Sequence, residues 1–192
     1  MTPLSSSRKR GPICIDSHFR GNDNVCGDKI CYMETVPIDL KKNLQEIEQV
    51  VKKGFSDTPD SNLSDWFSFP EMILSIKNGS GVCLKCIQNG EMIGMVHAME
   101  ENPINGREGR EKWVITCMAV IPENKGKGVG TKLLSAIEAE AKKYGAIKLF
   151  VHTNKDDERV IRFYHNNGYK TVGFVDDYYY DGSAIFLLKH LK

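Results

Sequence analysis

The stretch VIPENKGKGVGTKLL, Val120 to Leu134, alternates three glycines with Lys125, Lys127 and Val129 and then enters a leucine-bearing segment. Glycine loses more backbone entropy on folding than any other residue, so this spacing must serve something that a side chain would block. On the N-terminal side, WVITCMAV (113–120) is a continuous apolar, β-rich run that reads as a buried strand. On the C-terminal side Leu133, Leu134, Ile137 and Ala141 recur at helical spacing before a stop at Gly145. A strand, a glycine loop and a helix start make an anion site. The first N–H groups of a helix lack intrahelical partners, and the helix dipole places partial positive charge there. With Gly126, Gly128 and Gly130 no Cβ intervenes, and Lys125 and Lys127 add local charge.

The elements on either side extend the pattern. YMETVPI (32–38) is a short strand, and Leu40, Leu44, Ile47 and Val51 follow at helical spacing. NLSDWFSFPEMILSIKNG (62–79) reads as one or two short helices ending at Asn78–Gly79. GVCLKCIQNGEMIGMVHAME (81–100) is two apolar runs around Asn89–Gly90, a strong hairpin signal. A charged loop, ENPINGREGREK (101–112), leads to the strand before the glycines. Downstream come a strand, IKLFVHT (147–153), and a short helix, DERVIRFYHNN (157–167). Two strands, YKTVGFV (169–175) and AIFLLKHL (184–191), then flank an acidic, tyrosine-rich loop. The order β-α-α-β-β-β-α-β-α-β-β predicts an α/β fold with a mixed central sheet of about seven strands and flanking helices. Residues 1–32 show no helical or strand period and are expected to be a disordered extension, leaving 33–192 as the folded domain.

Composition narrows the function. A net charge of +1 gives no global field for nucleic acid or a membrane surface, so an anion site must be local. No apolar run reaches the roughly 18 residues that span a bilayer. The six cysteines are irregularly spaced in a chain of 192 residues, which argues against a disulfide framework and for a cytoplasmic location. Cys83 and Cys86 form a CxxC on a strand, where residues three apart face opposite ways, so no metal site is expected there. Cys14, His18, Cys26 and Cys31 match no zinc spacing. The glycine loop lacks the GxxxxGK[ST] of a P-loop, its third glycine is one residue early for GxGxxG, and the next strand ends in His152–Thr153 rather than an acidic residue.

CMAVIPENKGKGVGTKLL followed by RFYHNNGY resembles the GNAT superfamily of acyl-CoA-dependent N-acyltransferases, over about residues 33–192. The paired motifs are the glycine loop, with Lys125 where Gln or Arg is usual, and Tyr164 four residues before Gly168–Tyr169. Within the superfamily the chain is most similar to bacterial ribosomal-protein alanine N-acetyltransferases, which share the terminal Tyr-Tyr loop, here Tyr178–Tyr179. The resemblance implies the fold and an acetyl-CoA cosubstrate without metal. It places the cofactor on Met118, Ala119, Val120, Lys125, Gly126, Lys127, Gly128, Val129, Gly130, Thr131 and Asp157. Tyr164 matches the acid beside the departing thiolate. His152 stands where the family carries an acidic base, and Asp157 where it carries an asparagine.

An unperturbed pKa near 6.5 suits His152 to proton abstraction at neutral pH. Glu100 and Glu101 are rival bases, and Glu101, Tyr178 and Tyr179 are candidates to hold the acceptor, with Asp176, Asp177 and Asp181 supplying negative charge for a cationic amine. The acceptor is a primary amine: a protein N-terminus, or a small molecule of polyamine, amino-acid or aminoglycoside type. A non-catalytic acyl-CoA-binding regulatory module is the competing class. A monomer or homodimer is expected, without nucleic-acid or membrane partners.

Overall fold

The computed structural model describes residues 25–26, 29–30, 32–56, 67–101, 106–179 and 182–191. Two two-residue strands, β1 (Val25–Cys26) and β2 (Lys29–Ile30), pair with each other. The rest of the expectation for 1–32 lies outside the described residues, as do Cys14, His18 and Cys31 of the cysteine–histidine set and Asp181. The main elements are β3 (Met33–Pro37), α1 (Leu40–Phe55), α2 (Phe69–Lys77), β4 (Gly81–Gln88), β5 (Glu91–Glu100), α3 (Gly106–Glu111), β6 (Lys112–Val120), α4 (Val129–Lys143), β7 (Lys148–Asn154), α5 (Glu158–Asn166), β8 (Lys170–Tyr179) and β9 (Gly182–His190). This is the expected order with one addition: α3 lies in the stretch read as a loop, where Arg107–Glu111 and Glu108–Lys112 pair at i,i+4.

Seven strands form one sheet in the order β3-β4-β5-β6-β7-β9-β8. Only β6 and β7 pair in parallel, joined by the crossover helix α4; the other neighbours are antiparallel. Helices cover both faces. On one face Leu133, Leu134 and Ile137 of α4 and Tyr164 of α5 pack with Val96, Trp113, Ile115, Leu149, Val151 and Leu187. On the other, Ile47, Val50 and Val51 of α1 and Met72 of α2 pack with Cys83, Met95, Cys117 and Ala119. Cys83 and Cys86 fall on opposite faces, so the CxxC cannot chelate one ion.

The assignment of β6 side chains to these faces changes partway along. Trp113 and Ile115 lie on the α4 face, whereas Cys117 and Ala119 lie on the α1 face, although all four share one parity. A β-bulge is the cause. Ala98 pairs with Ile115 and His97 with Cys117, so Thr116 is skipped in the backbone register with β5. One extra residue turns every later side chain to the other face. Two glycines fit the strand beyond the bulge. A Cβ on Gly54 of α1 would lie 2.9 Å from the Ala119 Cβ, and one on Gly94 would lie 2.9 Å from the Ala119 carbonyl oxygen. Gly54→Val therefore forces α1 off β6, and overpacking of this kind costs about 1–3 kcal/mol. Urea unfolding should register that loss, and an unchanged midpoint would mean that α1 does not sit on β6 as described.

Candidate active site

The ladder between β6 and β7 runs only over Lys112–Lys148, Trp113–Leu149 and Val114–Phe150. Both strands continue beyond it, β6 to Val120 on β5 and β7 to Asn154 on β9. The sheet thus parts in its middle, and its two inner edges carry backbone groups without ladder partners across the gap. The direction of those groups follows from one bond: the Ile121 N–H donates to the Ile93 carbonyl at 3.1 Å. Backbone groups alternate along a strand, so Ala119 also addresses β5, while Met118 and Val120 address the gap. Of the three β6 residues expected to meet a cofactor, the structure turns two backbones that way.

The glycine loop begins where this gap opens. A short 3-10 turn, Pro122–Asn124, leads into it. Gly126 and Gly128 have φ of +75° and +83°, a region that L side chains rarely adopt, and no described atom lies within 4 Å of a Cβ built at either. Gly128 is the N-cap of α4 and has no side-chain bond to the helix start. By contrast, Asp39, Ser68 and Asp157 cap α1, α2 and α5 with side-chain oxygens. The N–H groups of Val129, Gly130 and Thr131 are the natural donors for an anion there. Gly130 has a different reason to be glycine: a Cβ there would sit 3.3 Å from the Phe163 ring of α5.

Two of the three charged candidates of the cofactor set are otherwise engaged. Lys125 Nζ donates to the Gly54 carbonyl at 2.8 Å, tying the end of α1 to the loop. The Asp157 carboxylate accepts from the Val160 N–H at 3.0 Å and caps α5. Lys127 is exposed. An anion would therefore meet chiefly backbone N–H groups, with Lys127 free to approach.

Tyr164 is buried among Phe163 and Tyr169, with ring centroids 5.1 and 5.3 Å away. Burial pushes its phenol well above the ordinary value, and the Cys117 thiol adds a smaller push. His152 lies two positions past the last β6–β7 pair. Its neighbour Val151 packs on the α4 face, so His152 presents to the other one. Its Nδ1 and the Tyr179 hydroxyl lie 2.7 Å apart, and the rings of Tyr178 and Phe186 pack at 5.1 and 5.4 Å. Burial lowers its pKa. The candidate acid and base thus stand on opposite faces, with the gap as the passage between them.

Two expectations change. Glu100 pairs with Trp113 at the closed end of β6, five residues or roughly 16 Å from Met118. Glu101, exposed beside it, donates its N–H to the Lys112 carbonyl, so this pair sits away from His152 and the gap. The acidic tyrosine stretch is not a loop at its start, because β8 runs to Tyr179; residues 176–178 leave the β9 register, with Asp177 at φ +51°. Asp176 meets Lys155 and Ser183. Sequence reading did not single out Phe186 or the polar group around His97, though His97 is the one titratable residue inside MIGMVHAM.

His97 is almost fully buried, with Ser75 Oγ 3.0 Å from Nε2 and Thr116 Oγ1 2.6 Å from Nδ1. Burial lowers its pKa from 6.5 to about 4. The unfolded chain then takes up this proton near pH 6.5, and the native chain only near 4. Stability falls as pH drops across that window, by about 3 kcal/mol for His97 alone at 1.4 kcal/mol per pKa unit. His152 adds a loss of the same sign. Urea unfolding at pH 7.5 and 4.5, with the imidazole titrations followed by NMR, should show the loss and a neutral His97 at pH 5. A His97 titrating near 6.5 would contradict the burial argument.

Comparison with known proteins places this geometry. The model described as the Acetyltransferase (GNAT) family matches residues 42–169. An aminoalkylphosphonate N-acetyltransferase of Salmonella typhimurium is 30% identical over 90 residues, 46% of this chain and 56% of that protein, so the match spans little more than half of the relative. The crystal structure of a ribosomal-protein-alanine N-acetyltransferase from Brucella melitensis superposes with a TM-score of 0.69 at 14% identity, over 82% of this chain and 99% of that one. A Salmonella typhimurium structure described as yncA, a putative acetyltransferase with its cofactor acetyl-CoA, gives 0.67 at 18% identity, over 83% and 94%.

Proposed function

The chain belongs to the GNAT family of acetyltransferases, and on that premise we propose that it moves an acetyl group from acetyl-CoA to a primary amine, a protein N-terminus first among them. The observation that carries the reading is the parted sheet with the uncapped, glycine-led start of α4 at its mouth. Pyrophosphate suits the N–H groups of Val129, Gly130 and Thr131, and an extended amide-bearing arm suits the exposed edge at Met118 and Val120. Acetyl-CoA supplies an activated thioester. Residues 33–192 are proposed to be the catalytic domain.

The residues divide the remaining work. The Met118 N–H, aimed into the gap, would donate to the carbonyl oxygen as negative charge develops on it, an effect typically worth about 3 kcal/mol. Tyr164 is a poor proton donor, because burial raises its phenol further above a thiol near 8.5. Its part is hydrogen-bond donation to the departing sulfur. His152, neutral at physiological pH, accepts the amine proton on the opposite face, and the Tyr179 hydroxyl holds its ring. An α-amine near pKa 8 reaches its neutral form at about 3–4 kcal/mol less than a lysine-type amine near 10.4, which favours a protein N-terminus as acceptor for so modest a base. A small amine is the second reading, supported by the name of the aminoalkylphosphonate relative. A panel of N-terminal peptides and small amines offered with acetyl-CoA separates the two.

Three variants test these roles. Gly128→Val puts a branched side chain on a residue at φ +83°, in front of the free N–H groups. Calorimetry on the folded variant should show acetyl-CoA binding weakened by about tenfold or more, and unchanged affinity would move the site elsewhere. Tyr164→Phe should lower kcat by about 10- to 1000-fold with cofactor affinity kept. His152→Ala should erase the acid-limb inflection of kcat/KM, which lies below the ordinary 6.5 because burial lowers this pKa. An inflection that survives in His152→Ala would assign the base to another group, and full activity in Tyr164→Phe would remove the proposed donor.

A further inference from the structure

Behind the gap lies a buried polar chain whose proton directions can be assigned. Ser75 Oγ donates its one proton to the Met72 carbonyl at 2.8 Å. It must therefore accept from His97, whose Nε2 lies 3.0 Å away. A neutral imidazole that donates from Nε2 accepts at Nδ1, so the Thr116 hydroxyl donates to His97 across 2.6 Å. The chain runs Thr116 to His97 to Ser75 to α2, each proton having one acceptor. It crosses β5 and passes β4 at Gly81, where a Cβ would lie 2.4 Å from Ser75 Oγ and 3.1 Å from His97 Nε2.

Thr116 is also the bulge residue, and it stands two positions beyond the last β6–β7 pair. The bulge and the hydroxyl–imidazole bond coincide at one residue, just beyond the point where the strands part. Packing at Gly54 and Gly94 fixes which face Ala119 takes, but it does not fix how the extra residue is accommodated. An apolar side chain at 97 would fill the same interior without the hazard of a half-satisfied buried group. We propose that Thr116 and His97 are positioning residues, pinning the bulge so that the Met118 N–H is aimed into the gap at the acyl carbonyl. This rests on the acetyl-transfer reading in naming acetyl-CoA as the molecule that fills the gap.

The test uses the full chain with acetyl-CoA and with CoA, which differ only in the acetyl group, and it needs no acceptor. The readouts are the Met118 amide resonance, the affinity for each ligand, and the imidazole nitrogen shifts of His97. In the wild type the Met118 amide should shift further with acetyl-CoA than with CoA, and His97 should be the Nε2–H tautomer. Thr116→Ser, which keeps the hydroxyl, should preserve that difference. Thr116→Val, which keeps the shape, should abolish it while CoA affinity stays within about threefold, because the pyrophosphate contacts are untouched. A Thr116→Val protein whose Met118 response equals the wild type, or a loss shared equally by Thr116→Ser, overturns the positioning role while leaving the acetyl-transfer reading in place. If Thr116→Val does not fold, His97 decides: the Nδ1–H tautomer in the wild type overturns the chain, and Nε2–H with a normal Thr116→Ser supports it. A wild type that binds neither ligand overturns the acetyl-transfer reading and this inference with it.

Discussion

After Val114 and Phe150, β6 and β7 cease to pair, and the site depends on that parting. Backbone N–H and C=O groups inside a protein need partners, and a sheet is the usual way to give them. A seven-stranded sheet that opens in its middle leaves two inner edges to be met by water or a ligand. The rest of the fold holds the opening in place. β5 and β9 keep each strand paired on its outer side, α1 lies against β6 through Gly54, and Lys125 ties the end of α1 to the glycine loop. The same parting sets the start of α4 beside the mouth of the gap, because the loop is the direct continuation of β6.

Both candidate chemical groups are electrostatically quiet. Burial raises the Tyr164 phenol and lowers the His152 imidazole, so each is neutral near pH 7. Neutral groups can approach a thioester and an amine without bringing charge into a low-dielectric site, where an unpaired charge is costly. On the proposed reading, their placement on opposite faces leaves one end of the reaction to each. On the same reading, the molecule that joins them passes between the strands.

Much of this was legible in the sequence because it rests on local rules. The glycine loop before a helix start, the Asn89–Gly90 hairpin and the helical spacing of Leu133, Leu134, Ile137 and Ala141 each depend on near neighbours; all three appear, with the difference that Gly126 and Gly128 precede α4 whereas Gly130 lies in its first turn against Phe163. The resemblance of the glycine loop and of Tyr164 with Gly168–Tyr169 to one superfamily agrees with the family match. The bulge at Thr116 was hidden for a physical reason. WVITCMAV is apolar on both faces, so a one-residue inversion leaves no mark on its pattern. The attachment of Lys125 to Gly54 and the chain from Thr116 to Ser75 join residues far apart in sequence, and no periodicity carries that information. The extension of β8 through Asp176 and Asp177 was masked by residues that favour turns, which here sit in a bulge beside β9.

Amide hydrogen exchange with and without acetyl-CoA tests the central claim most directly. If the gap is the cofactor slot, the Met118 and Val120 amides and those of Val129, Gly130 and Thr131 become protected on binding. The Ala119 amide, which already addresses β5, should change little. Protection that spares both the β6 edge and the start of α4, in a protein that does bind acetyl-CoA, would contradict the account.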